Sequence, residues 1–157
     1  MAFFRRTFKS GGSFEDMAEQ RNASRRILLV DDDDALRRLV RKVLEPYGYV
    51  VTGAGSGREA LEKLLESKPD LILLDYVLPD MDGLVLLELI RARLDDSPTP
   101  IICLTGKTDI STKTKALEAG ATDYITKPFD VRELVACVGT QLRVKDQREE
   151  DAREKER

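Results

Sequence analysis

Five short apolar runs, separated by stretches with helical spacing, constrain this 157-residue chain more than any other feature. The runs are Ile27–Val30, Tyr49–Thr52, Leu71–Leu74, Ile101–Leu104 and Ala121–Thr126. Four are continuous or nearly so, as parallel strands covered on both faces would be. Between the first two, Leu36, Leu39, Val40, Val43 and Leu44 recur at helical spacing and predict an apolar stripe. Ala60, Leu61, Leu64 and Leu65 repeat that spacing. Leu84, Leu87 and Ile90 follow it more loosely, and Leu134, Val135, Val138 and Leu142 follow it again. The segment Asp109–Ala119 is the weakest helix, with Ile110, Ala116, Leu117 and Ala119 to bury and Gly120 placed to stop it. Five strands alternating with five helices predict an α/β fold, a doubly wound five-stranded parallel sheet with right-handed crossovers.

Charge marks out the domain. Residues 1–26 carry a net +3, residues 143–157 are balanced, and the stretch between them is acidic by six charges. Nearly all the branched aliphatics lie in that middle stretch. It is read as a folded domain over 25–144, with a disordered leader at 1–24 and a charged helical or disordered tail at 145–157. The chain has no histidine, which removes zinc fingers, histidine acid–base chemistry and Ser-His-Asp or Cys-His nucleophiles together. Only Cys103 and Cys137 occur, and neither belongs to a Cys-x-x-Cys pair. With no continuous apolar stretch at the N-terminus, a reducing cytoplasm is expected. No apolar run approaches the roughly 18 residues of a membrane span. A net charge of −3 gives no reason to expect direct nucleic-acid binding.

The polar residues gather where such a sheet places its ligands, beyond the carboxyl ends of the strands. The first run enters Asp31, Asp32, Asp33 and Asp34, and the third enters Asp75. The fourth ends at Thr105, and the fifth enters Lys127-Pro128. Carboxylates converging on one crevice repel one another, and a divalent cation such as Mg²⁺ relieves that repulsion through oxygen ligands. A lysine and a hydroxyl aimed at the same place would hold an anion beside the metal. The set suggests phosphoryl chemistry with an aspartate as nucleophile. A Walker loop is absent, so no bound nucleotide is implied.

The segments ILLVDDDD at 27–34, LILLDYVLPDMDG at 71–83, LTG at 104–106 and DYITKPF at 123–129, in this order and spacing, resemble the receiver domain of bacterial two-component response regulators. The resemblance covers about 27–143. It implies a flavodoxin-like, chemotaxis-regulator-like sheet of order 2-1-3-4-5; that order comes from the resemblance and not from the residue pattern. It implies Asp75 as phosphoacceptor, and Mg²⁺ held by Asp31, Asp32, Asp75 and the backbone carbonyl of Val77. Thr105 would bond a phosphoryl oxygen and Lys127 would pair with it. Tyr124 would be the aromatic that reorients with Thr105, and the Lys127–Pro128 peptide would be cis. The implied partners are a sensor histidine kinase or phosphotransfer protein and a downstream protein effector. A homodimer through the face made by the fourth helix, fifth strand and fifth helix is a further possibility. Such a protein is a phosphorylated switch that catalyses its own transfer and slow dephosphorylation, not an enzyme in the ordinary sense.

Other residues carry plainer readings. Asp33 or Asp34 is expected to cap the first helix. Asp80 and Asp82 are expected to shape the loop before Gly83, where a positive φ would favour glycine. Cys103 reads as a core residue and Cys137 as a helix-face one, neither reactive. Lys107 and Val77 flank the expected site. Phe3, Phe4 and Phe8 with Arg5, Arg6 and Lys9 fit either a disordered leader or a short partner- or membrane-touching segment. The tail lacks a/d apolar positions, so a coiled coil is not expected. Residues 24–145 alone are expected to keep full stability. The signal would leave through a protein surface, or the chain is the receiver part of a longer regulator. Two alternatives stay open: a pseudo-receiver acting as a scaffold, and a phosphatase with an Asp75 nucleophile. The second is disfavoured because no second acid follows Asp75 in a D-x-D pattern.

Overall fold

The structure, a computed structural model, describes residues 25–95, 97–106 and 110–155. The leader at 1–24, Lys107 and Asp109 lie outside the described residues. Five strands form one sheet: β1 (Arg26–Val30), β2 (Val50–Ala54), β3 (Leu71–Asp75), β4 (Ile101–Thr105) and β5 (Asp123–Thr126). All pairings are parallel and the order is β2-β1-β3-β4-β5. The helices are α1 (Asp34–Leu44), α2 (Gly57–Ser67), α3 (Gly83–Leu94), α4 (Ile110–Glu118) and α5 (Val131–Lys155), with a short 3₁₀ turn at Glu45–Tyr47. The expected architecture and strand order are both present.

The unbroken apolar runs reflect two-sided burial. Every residue of β3 and β4 is buried. On one face, Ile27, Leu29, Leu71, Leu73, Ile102 and Leu104 pack against Val40 and Leu44 of α1 and Leu134, Val138 and Leu142 of α5. On the other, Leu28, Val30, Ile72, Leu74 and Cys103 meet Ala60 and Leu64 of α2, Leu86, Leu87 and Ile90 of α3, and Ala116 of α4.

The stripes are narrower than their spacing suggested. Leu39 and Leu65 are exposed. At about 100° per residue each sits on the flank of its helix, outside the arc that meets the sheet. In α4, Ile110 and Leu117 are exposed, and Ala116 is its one buried side chain. Its end is a Schellman turn: Ala121 N–H bonds to Ala116 O at 2.9 Å and Gly120 N–H to Leu117 O at 3.2 Å. Gly120 is left-handed at φ +118°, as a glycine stop requires.

The charged tail continues α5 as helix through Lys155. Its first turn meets the body. Lys145 Nζ lies 3.6 Å from Asp70 Oδ1 and 3.3 Å from Glu149, with its side chain only 10% exposed. Asp146 pairs with Arg25. No helix among the described residues is long and apolar enough to cross a membrane.

Candidate functional site

β1 and β3 are neighbours, so their carboxyl ends deliver Asp31 and Asp75 side by side. Asp31 is fully buried and Asp75 nearly so, while Asp32 is exposed. Carboxylate oxygens of Asp31, Asp32 and Asp75 all lie within 4.8 Å of one another. β4 and β5 bring Thr105, which is buried, and Lys127, which follows Thr126 across from it. Lys127 Nζ donates to Asp31 Oδ2 at 2.7 Å and stands 3.3 Å from Asp75 Oδ2. The Lys127–Pro128 peptide is cis.

The loop backbone completes the cluster. Asp33 N–H donates to Asp31 Oδ1 at 2.9 Å, and Val77 N–H donates to Asp75 Oδ1 at 3.1 Å. Burial raises the Asp75 pKa above the ordinary carboxylate value, and the Asp31 charge adds to it. The Val77 amide and Lys127 act against that rise without cancelling it. Burial pulls the Lys127 ammonium down, but its hydrogen bond and charge pairing with Asp31, then Asp75, outweigh this and its pKa is raised.

Among the described residues three carboxylates face one ammonium, so these four groups together carry an excess of negative charge. Hard oxygen donors this close suit a hard divalent cation. Oxygens on opposite sides of such an ion stand about 4–5 Å apart at bond lengths of about 2.0–2.6 Å. The residues present therefore fit a Mg²⁺-sized ion.

Tyr124 is half-buried against the α2–α4 side of the sheet. Lys113 of α4 places its ammonium 4.4 Å from the ring centroid, which couples this aromatic to the weakly packed helix. Val77 is exposed, beside the phosphoacceptor candidate. Cys103 is buried and Cys137 half-buried; both are free, and burial pushes both thiols up to about 12. Neither is poised as a nucleophile.

Asp33 is the N-cap of α1, accepting from Ala35 N–H at 2.9 Å and Leu36 N–H at 3.2 Å. Asp82 caps α3 through Leu84 N–H at 2.7 Å. Gly83 departs from its expectation, for it is not left-handed. A Cβ there would stand 2.1 Å from the Tyr76 carbonyl oxygen, so glycine is required by close backbone approach.

Two features were not read from the sequence. Asp80 reaches across to α2 and accepts from Gly57 N–H at 2.8 Å and Arg58 N–H at 3.0 Å. Met81 packs where a Gly57 Cβ would be, at 2.6 Å. The loop after Asp75 is thereby docked on α2. The second feature is Arg37, whose guanidinium bonds the Asp31 carbonyl and the Asp34 carboxylate. The only sequence hint was the i, i+3 spacing of Asp34 and Arg37.

A family model of the response regulator receiver domain matches residues 27–139, most of the described chain. The chain belongs to the response regulator receiver domain family. The DNA-binding response regulator MtrA of Mycobacterium tuberculosis is 46% identical over 121 residues, which are 77% of this receiver chain and 52% of that protein. The transcriptional regulatory protein YkoG of Bacillus subtilis is 41% identical over 125 residues, 80% of this chain and 54% of that one. The chain thus spans about half the length of the curated relatives it matches. The chemotaxis protein CheY4 of Vibrio cholerae superposes with a TM-score of 0.70 at 34% identity, covering 74% of this chain and 97% of that one. The CheY-like receiver domain protein of Methanospirillum hungatei gives 0.75 at 33% identity, covering 80% and 99%.

Proposed function

We propose that this receiver accepts a phosphoryl group on Asp75 from a phosphohistidine and signals by the conformational change that follows. One observation carries the reading: Lys127 bridges Asp31 and Asp75 while Asp32 completes a three-carboxylate cluster around the same point. Asp31, Asp32 and Asp75, with the Val77 carbonyl, would hold Mg²⁺. The ion, when bound, offsets carboxylate repulsion and the charge that develops on the transferring phosphoryl oxygens.

The chain's own groups do the rest. An Asp75 carboxylate oxygen attacks phosphorus, the P–N bond to the donor imidazole breaks, and the imidazole keeps the electron pair. The product is an acyl phosphate with no added co-reactant. The Val77 amide bonds Asp75 Oδ1 and so favours its charged, nucleophilic form. Lys127, already 3.3 Å from Asp75, would pair with the new phosphoryl oxygens and leave Asp31 in part. Thr105, at the end of β4, would bond another oxygen and draw Tyr124 and α4 with it. The α4–β5–α5 face would then meet a protein effector or a second copy. In a longer regulator like MtrA it would meet the output half. Two free thiols agree with a reducing, cytoplasmic setting.

The test is labelling with Mg²⁺ and a small acyl-phosphate donor, read by intact-protein mass. One phosphoryl group is expected on the wild type and none on Asp75→Ala. Label retained in Asp75→Ala would move the acceptor elsewhere. A wild type that never labels from any donor would favour the scaffold reading.

A further inference from the structure

Asp31 is held at every polar atom it offers. Its N–H donates to Ala54 O at 3.0 Å, its carboxylate accepts from Asp33 N–H and Lys127 Nζ, and its carbonyl accepts from Arg37 Nη1. The next residue, Asp32, is exposed, and its carboxylate has no hydrogen bond or ion pair among the described residues. The direction of that carboxylate therefore depends on how the Asp31–Asp32 peptide is fixed, and Arg37 is the side chain that grips the peptide's oxygen.

The grip is seated. The Arg37 side chain is only 23% exposed and lies across the end of β2. A Cβ on Gly53 would stand 3.2 Å from Arg37 Cδ, and one on Gly55 would stand 3.1 Å from Nη1. Two side-chain-free positions thus form the trough that the arginine occupies. The other arm of its fork bonds Asp34 in the first turn of α1. A planar guanidinium with two donors in fixed geometry can tie a loop carbonyl to a helix start; a lysine ammonium has no such fork.

We infer that Arg37 is a positioning residue for the cation site, acting through the Asp31–Asp32 peptide and not through its charge; this rests on the metal reading given above. The two roles predict opposite signs. A guanidinium near three carboxylates repels a cation, so by charge alone its removal tightens cation binding. If Arg37 sets the direction of Asp32, its removal loosens binding, as losing the support of a metal ligand does.

The test is Mn²⁺ and Mg²⁺ titration of the full chain, reading free Mn²⁺ by its EPR signal and Mg²⁺ by calorimetry. Arg37→Ala is expected to weaken both by about tenfold. Arg37→Lys should not restore them, although it restores the charge. Arg38→Ala, which removes a charge from the exposed face of the same helix, should leave affinity unchanged or slightly raised. Melts without divalent ion check folding. Should Arg37→Ala fail to fold, Gly55→Ala is the deciding arm, because it keeps the charge and crowds Nη1; a smaller loss in the same direction is expected. Affinity unchanged or tightened in Arg37→Ala, or unchanged in the Gly55→Ala arm, overturns the inference. Wild type that binds neither ion, or binds as well in Asp32→Ala, overturns the metal reading itself.

Discussion

Asp80 illustrates how one exposed carboxylate can matter through the amides it reaches. Its two carboxylate oxygens take the first two free amides of α2, Gly57 and Arg58, while Ser56 Oγ takes the amide of Glu59 at 3.1 Å. Those amides hold the Asp80 carboxyl below the ordinary carboxylate value. A depressed folded pKa means that the folded state favours the ionised form. The stability it contributes is present above the unfolded pKa of about 3.9 and is lost as pH falls through the folded value. Asp80→Ala should therefore melt below wild type at pH 7, and the gap should close below about pH 4. Melting curves of the two proteins from pH 3 to pH 8 check this; a gap independent of pH would assign the effect to packing of the loop instead.

At the scale of elements, α4 and α5 are opposite cases. α4 anchors itself with Ala116 and a glycine stop, and offers Lys113 to Tyr124. An element with so little buried apolar surface sits at the low end of local stability, which suits the movement proposed for it. α5 buries Leu134, Val138 and Leu142, and its charged continuation returns to the sheet through Lys145 and Asp146. These contacts bridge to Asp70 before β3 and Arg25 before β1, so they staple the amino ends of two strands to one helix. Counted only at the value of exposed ion pairs, they contribute roughly 0.2–1 kcal/mol each. Ending the chain at Val144 should cost about 1 kcal/mol in urea unfolding, whereas ending it at Glu149 should cost nothing measurable. Equal stability of the two shortened chains would restore the simpler expectation of a tail without contacts. The folded unit is thus proposed to reach Glu149 rather than stop at residue 144.

At the scale of the whole molecule, the cation site proposed at Asp31, Asp32 and Asp75 would couple stability to cation occupancy. Binding to the native state alone stabilises by about 2.7 kcal/mol at a hundred times Kd. Mg²⁺ should raise the melting temperature of wild type, and Asp32→Ala should lose that response. Without metal, Asp32→Ala should melt at or above wild type, since one of three repelling carboxylates is gone. Calorimetric scans with and without Mg²⁺ read both effects, and a Mg²⁺ response kept in Asp32→Ala would remove that residue from the cation site. The alternation of apolar runs and stripes, by itself, determined that a parallel sheet would be covered on both faces, because continuous burial of a strand leaves no polar alternate positions. It also determined that Asp31, Asp75, Thr105 and Lys127 would share one edge, since all stand at the carboxyl ends of apolar runs that must point the same way. Strand order is invisible to such a pattern, and only the pairing of β1 with both β2 and β3 sets Asp31 against Asp75. The tertiary structure alone decided which flank leucines stay exposed, why Gly83 must lack a side chain, and that Asp80 and Arg37 reach across to other elements. These are contacts between residues distant in space or in orientation, and local spacing carries no record of them.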